Sequence, residues 1–227
     1  PDDDPSIASD FWPTVIYGAE DYAESKGLDL YCYGELLDHP DDVNGLPDSA
    51  YSKYYSITDN VWGNNVRDGV VGSGNASNFG STYHKNTSAD KLVIWAESHD
   101  TYAGGSSKGV SETNINKTWA LVAARADAMG LYFARPANYT QDMGEASVSG
   151  WANETVKEIN LFHNAFAGED EVVSNENNIS YVERGDSGVI LVQAGAATAN
   201  TVSVTAHAMK DGESVDDITG NTFTVAN

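Results

Sequence analysis

Two acidic residues end apolar, β-prone segments of this chain. Glu35 closes the segment LDLYCYGE (28–35), and Asp100 closes KLVIWAESHD (91–100). When two carboxyl groups face one cavity, one can act as an acid while the other stays ionised as a base or a charge stabiliser. Glycoside hydrolysis is one reaction that requires such a pair. The residues alone also allow a plainer interpretation, in which both are solvated loop residues.

His99 stands directly before Asp100. Its imidazole could donate a hydrogen bond to a substrate hydroxyl, although a single histidine is at least as often a structural donor. A metal site would need further ligands at suitable spacing. The sequence predicts no metal ligands in this chain, because no such spacing with His99 is found for the histidines His84, His163 and His207.

The elements that position these residues follow an alternation of helices and strands. Apolar residues three and four apart predict helices near 12–23, 65–71, 114–129 and 153–167, and three of these helices are followed by glycines that can end them, Gly27, Gly130 and Gly168. Short β-prone runs predict strands at 28–35, within 54–60, at 91–100 and at 131–133. This order indicates part of a parallel α/β barrel, in which active sites lie at the carboxyl ends of the strands.

The character of the sequence changes near residues 168–177. Beyond this point, short alternating runs separated by turn residues predict an antiparallel sheet, namely ISYVER, GVILVQ, TVSVTA and NTFTVA. We therefore expect a second, all-β module after the barrel segment.

Composition limits the possible partners. The 34 acidic and 12 basic residues give a net charge of -22, which would repel nucleic acid and anionic membranes and favours a neutral or cationic ligand. No apolar run approaches the roughly 20 residues that cross a bilayer, so no membrane-spanning segment is predicted. The one cysteine, Cys32, excludes an internal disulfide bond and is interpreted as a small buried hydrophobe on the strand face opposite Glu35.

The segments YGELLD and LVIWAESHDTYAG resemble two signature regions of the glycoside hydrolase family 13 α-amylases. The segments INKTWALVAARADAMGLYFARP and VKEINLFHNAFAGEDE are similar to the Bacillus subtilis type of that family. This resemblance implies that residues 1–170 form the C-terminal half of the catalytic (β/α)8 TIM barrel. Residues 171–227 would begin an incomplete antiparallel β-sandwich domain.

The resemblance also implies roles for the three candidate residues. Glu35 matches the general acid/base after barrel strand 5, and Asp100 matches the aspartate that stabilises the transition state after strand 7. His99 matches a histidine that binds sugar hydroxyls where the bond is cleaved. The family's nucleophilic aspartate and its calcium ligands are expected upstream of Pro1, so calcium is expected only for the complete enzyme. Gly104 departs from the asparagine that is frequent in relatives, which leaves sugar contacts from that loop open.

The implied function is retaining endo-hydrolysis of α-1,4-glucosidic bonds in starch, glycogen and related α-glucans. The expected partners are the α-glucan and the N-terminal half of the same enzyme, and the expected location is extracellular. The 227 residues alone are expected to be inactive, because they lack the nucleophile. Two alternatives remain: a non-catalytic α-glucan-binding or scaffolding protein with an amylase-like fold, and glucan transfer by the same residues.

Overall fold

The first part of the chain forms a parallel sheet of four short strands, which pair in the order in which they occur along the sequence. The computed structural model describes residues 10–37, 47–72, 82–136, 150–195, 201–215, 220 and 222–226. The strands are Tyr33–Gly34 (β1), Ser56–Thr58 (β2), Leu92–Ile94 (β3) and Met129–Gly130 (β4). Their register pairs Tyr33 with Ser56, Ile57 with Leu92 and Val93 with Met129. Because all pairs are parallel, the carboxyl ends of the four strands meet at one edge.

Helices connect these strands and cover the sheet. They are Phe11–Ser25 (α1), Asp48–Ser52 (α2), Asn60–Val71 (α3), His99–Ala103 (α4), Glu112–Ala123 (α5) and Glu154–Ala165 (α6). Val66 of α3 and Leu121 of α5 pack with Ile57 and Ile94 of the sheet in one apolar cluster. The indole of Trp119 donates a hydrogen bond of 3.0 Å to Asn160 Oδ1, which joins α5 to α6.

Two strands are shorter than the sequence predicts. The strand expected at 28–35 contracts to β1, because its partner β2 has only three residues with which to pair. The strand expected at 91–100 ends at Ile94, and a helix begins at His99 because Ser98 and Thr101 form a capping box. The prediction that Asp100 ends a strand is therefore wrong, since Asp100 lies in the first turn of α4.

Two helix boundaries also differ. The weak helix expected at 65–71 begins at Asn60, because Asp59 caps it by accepting a hydrogen bond from Trp62 N. The helix expected to reach 129 ends at Ala123, since Ala126 N donates to the Glu171 carboxylate instead of to a helical carbonyl. The interpretation of Gly130 as a helix terminator is wrong, because Gly130 belongs to β4.

An antiparallel sheet of three strands follows α6. Its strands are Glu171–Glu176 (β5), Ile179–Arg184 (β6) and Gly188–Gln193 (β7), and a two-stranded sheet comprises Gly212–Val215 (β8) and Thr222–Val225 (β9). The run TVSVTA is not a strand, because side chains rather than a neighbouring strand bind its backbone: Thr205 N donates to Glu176 Oε2, and Tyr181 Oη donates to Thr205 O. A domain boundary at residues 170 and 171 stays a prediction.

Polar contacts join the antiparallel sheet to the helices. Arg125 makes a forked hydrogen-bonded ion pair with Glu171, with an Nη2 to Oε1 distance of 2.8 Å. Lys117 Nζ donates to the carbonyls of Gln193 and Gly195 at 3.1 and 3.0 Å, and burial lowers the pKa of this amine. Val182, Ile190 and Val192 of β6 and β7 also belong to the apolar cluster that contains the helices. The antiparallel sheet and the parallel sheet thus share one core.

Candidate functional site

Glu35 lies at the carboxyl edge of the parallel sheet, directly after β1. Along this segment Tyr31, Tyr33 and Glu35 are exposed, whereas Cys32 and Gly34 are half-buried. This alternation confirms the predicted shared face of Glu35 and the two tyrosines. Burial raises the pKa of the Cys32 thiol, and the negative charge of Glu20 adds to this, so Cys32 is not an activated nucleophile.

The backbone around Glu35 is fixed by β2 and the turn before it. Leu36 N donates a hydrogen bond of 3.1 Å to Thr58 Oγ1. Before Glu35, a Cβ added at Gly34 would lie 2.7 Å from Tyr55 Cε2, so only glycine permits this close approach. The carboxylate of Glu35 therefore extends into solvent from a well-anchored strand end.

His99 and Asp100 occupy the first turn of α4, beyond the carboxyl end of β3. His99 Nε2 lies 3.4 Å from Asp100 Oδ1, and the two side chains are 70% and 66% exposed. Ser98 fixes the start of this turn, because its hydroxyl accepts from Thr101 N and its own N–H donates to Thr101 Oγ1. The structure thus brings His99 and Asp100 together as neighbours with accessible polar atoms.

Glu35 and Asp100 share one edge of the sheet, with β2 between their strands. Two strand spacings separate β1 from β3 by roughly 10 Å. In the described part of the chain no hydrogen bond joins Glu35 to His99 or Asp100. Glu35 and Asp100 therefore lie at the same edge of the sheet with no hydrogen bond between them.

The sequence interpretation missed Asp59, which follows β2 at the same edge. Its side chain is fully buried and accepts hydrogen bonds from the backbone N–H groups of Trp62, His84 and Lys85 at 3.0, 2.7 and 3.1 Å. The Asp59 carboxylate is therefore engaged by backbone N–H groups and has a structural role. Its position directly before a helix could have indicated this role, because aspartate is a preferred N-cap residue.

Glu97 and Arg135 were also missed. Glu97 follows β3 and is 2% exposed. Arg135 Nε and Nη2 donate to its two carboxylate oxygens at 2.5 and 2.8 Å. The polar cluster ESHD contains Glu97 and could have drawn attention to it, whereas Arg135 has no local signal because its partner is distant in sequence.

Neither a metal-binding cluster nor a membrane-spanning helix is found in the described part of the chain. No group of three or more histidine, cysteine, aspartate or glutamate side chains there is arranged to hold a metal ion. Within the same residues, none of the helices has the length and apolar character required to span a bilayer.

Comparisons with known proteins give similarities to α-amylases. No family model matches the chain. It is 29% identical to an α-amylase of Clostridium acetobutylicum over 195 residues, which covers 84% of this chain and 23% of the relative. It is 31% identical to an α-amylase of Butyrivibrio fibrisolvens, covering 97% of this chain and 26% of the relative. The chain thus spans about a quarter of the length of these two curated relatives.

Solved structures of α-amylase I from Eisenia fetida are similar in fold. The wild-type enzyme gives a TM-score of 0.53 at 15% identity, covering 85% of this chain and 46% of that chain. A variant in complex with maltohexaose gives a TM-score of 0.55 at 15% identity, with 88% and 52% covered. This chain is α-amylase-like. Its parallel strands and helices form the second half of a barrel and are followed by a β domain, as predicted.

Proposed function

We propose that this chain supplies the acid/base carboxyl group and the sugar-binding residues of a retaining endo-hydrolase of α-1,4-glucosidic bonds, of the Bacillus subtilis type within glycoside hydrolase family 13. The substrates are starch, glycogen and related α-glucans. The observation that carries the proposal is the common edge of the parallel sheet, where Glu35 follows β1 and the pair His99 and Asp100 follows β3. The similarity to α-amylases supports it.

Glu35 acts as the general acid and then as the general base. Its carboxyl group protonates the glycosidic oxygen as the bond to the leaving sugar breaks. The resulting carboxylate then removes a proton from the water that attacks the glycosyl-enzyme. The anchored backbone on both sides of Glu35 favours this role, because proton transfer requires a fixed donor geometry.

Asp100 and His99 bind the sugar on which positive charge develops. An ionised Asp100 stabilises the oxocarbenium-like transition state, and the imidazole of His99 donates to a sugar hydroxyl. Their proximity, at 3.4 Å, favours a joint action on one sugar ring. His99 is therefore a substrate-binding residue in this proposal.

The remaining parts of the site belong to the N-terminal half of the same enzyme. That half supplies the nucleophilic carboxylate and the calcium ligands, as the resemblance to the α-amylase family implies. We also propose that the enzyme is secreted, as the family resemblance implies.

The test compares two glutamate-to-glutamine variants of the full-length gene product. Glu35→Gln keeps the size of the side chain and removes the transferable proton, so kcat on starch should fall at least about 10²-fold while binding of maltohexaose persists. Glu24→Gln makes the same change at an exposed position on α1 and should leave kcat unchanged. Near-normal turnover by the Glu35 variant would contradict the proposed role.

The same experiment separates the alternatives. A wild-type protein that binds maltohexaose and does not cleave it is a glucan-binding protein. A wild-type protein that yields longer oligosaccharides from maltohexaose is a transferase. Only hydrolysis with net release of reducing ends supports the proposal.

A further inference from the structure

One buried ion pair closes a ring of hydrogen bonds around the segment that carries His99 and Asp100. Glu97, which is 2% exposed, precedes this segment. Its carboxylate accepts hydrogen bonds from Nε and Nη2 of Arg135. We call the set Glu97, Ser98, Thr101, Ser107 and Arg135 the Arg135 ring. Each member is bonded to the next or adjoins it in sequence.

Arg135 also binds the far end of the segment. Its Nη2 donates to Ser107 O and its Nη1 to Val110 O, each at 2.8 Å. Ser107 is fully buried. One guanidinium thus holds both the start and the end of residues 97–107.

Hydrogen bonds between Ser107, Thr101 and Ser98 complete the ring. Ser107 N donates to Thr101 O at 3.0 Å, and the two hydroxyls lie 3.1 Å apart. Thr101 Oγ1 in turn accepts from Ser98 N at 2.9 Å. Because His99 and Asp100 lie between Ser98 and Thr101, their backbone is fixed on both sides.

The chemistry of this ring requires arginine at position 135. A guanidinium can donate to two carboxylate oxygens and to two carbonyls from one plane, whereas an ammonium group cannot reproduce that fork. The aromatic side chain of Tyr102, which is 1% exposed, lies 5.6 Å from the Arg135 guanidinium and packs against Phe133. Arg135 therefore also joins α4 to the segment that follows β4.

We infer that Glu97 and Arg135 are positioning residues for glycosidic bond cleavage, acting through the placement of His99 and Asp100. This inference rests on the proposed function. Arg135 and Glu97 do not touch the substrate; they set where the two exposed side chains meet it. A displacement of a reacting group by about 1 Å can lower a rate by about 10²-fold.

The test uses Arg135→Lys and Glu97→Gln in the full-length gene product. Arg125→Lys is the matched control, because Arg125 forms a similar forked pair with Glu171 where α5 meets the antiparallel sheet. The measurements are kcat and KM on starch and hydrogen exchange of the backbone amides in residues 97–107. Both ring variants should lose about 10²-fold in kcat with KM changed less than about threefold. The backbone amides of residues 97–107 should exchange faster in both ring variants. Arg125→Lys should change neither kcat nor the exchange of these amides.

Each outcome is decisive. Unchanged kcat in both ring variants, with an active wild type, would overturn the positioning role alone. A kcat loss of equal size in Arg125→Lys would also overturn it, because that loss would reflect general destabilisation. If Arg135→Lys does not fold, Glu97→Gln decides the question by the same criteria. An inactive wild type would instead overturn the proposed function and the role that depends on it.

Discussion

Arg184 Nη2 donates a hydrogen bond of 2.6 Å to the carbonyl of Phe166, just past the C-terminus of α6. The same fully buried guanidinium donates to the carbonyls of Ala124 and Arg125 at 3.0 and 3.2 Å, after the end of α5. A cation is favoured at helix C-termini, where carbonyl groups lack helical partners. One side chain of β6 therefore satisfies the ends of two helices of the barrel segment.

Replacing Arg184 by methionine should destabilise the protein by about 3 kcal/mol, because several buried carbonyls lose their donor. Urea unfolding at neutral pH, followed by tryptophan fluorescence, measures this change. Lys91→Met alters an exposed cation and should change stability by less than about 0.5 kcal/mol. Equal stability of the two variants would mean that Arg184 does not cap these helices.

A second prediction concerns the contact between α3 and Trp95, the residue that follows β3. A Cβ added at Gly63 would lie 2.6 Å from the carbonyl oxygen of Trp95, and backbone atoms cannot move aside as a flexible side chain can. Gly63→Ala should therefore destabilise the protein by about 2 kcal/mol, as overpacking does. Thermal unfolding monitored by circular dichroism would show the lower midpoint.

Gly18→Ala is the matched control for this substitution. Gly18 lies within α1 and has no atom within 4 Å of an added Cβ. Alanine is the better helix former, so this variant should gain about 0.5–1 kcal/mol. The opposite signs of the two changes test the packing described here, and a stabilising Gly63→Ala would contradict it.

Sequence patterns located β1, β2 and β3 but not their lengths. The apolar run before ESHD indicated β3 correctly, and the alternation of Tyr31, Tyr33 and Glu35 placed one face of the β1 segment correctly. The helix that begins at His99 was missed, because its start depends on the capping box between Ser98 and Thr101 rather than on apolar spacing. Local hydrogen bonds thus overrode the strand propensity of the segment.

Partners that are distant in sequence could not be predicted. Arg135 and Glu97 are 38 residues apart, and nothing in a single sequence pairs them. The alternation in TVSVTA predicted a strand, yet the side chains of Glu176 and Tyr181 bind that backbone instead. Alternating apolar residues indicate an extended backbone and leave its partner unspecified.

A third prediction concerns pH. The ion pair between Lys210 Nζ and Asp186 holds the pKa of Asp186 below its usual value of 3.8, chiefly through a hydrogen bond. Because the pKa is lowered by folding, its contribution to stability is present above pH 3.8 and is lost as the pH falls through the folded-state pKa. Carbon NMR titration of the Asp186 carboxyl group should give a midpoint below 3.8.

Lys210→Met should raise that midpoint toward 3.8, because the ammonium donor is removed. The backbone hydrogen bond from Lys210 N to Asp186 O remains available, so the two segments should stay together in the variant. An identical midpoint in both proteins would show that Lys210 does not act on Asp186 in solution.

The role of Glu35 as the acid/base is tested by azide rescue of Glu35→Ala in the full-length gene product. An aryl α-maltooligosaccharide with a good leaving group needs no proton from an acid, so the glycosyl-enzyme still forms. It then persists without a base to activate water. Azide needs no deprotonation, attacks the anomeric carbon and displaces the enzyme carboxylate. We predict faster turnover with azide and an α-glycosyl azide product by NMR. No azide product, or a β-glycosyl azide, would contradict the role of Glu35 as the acid/base of a retaining enzyme.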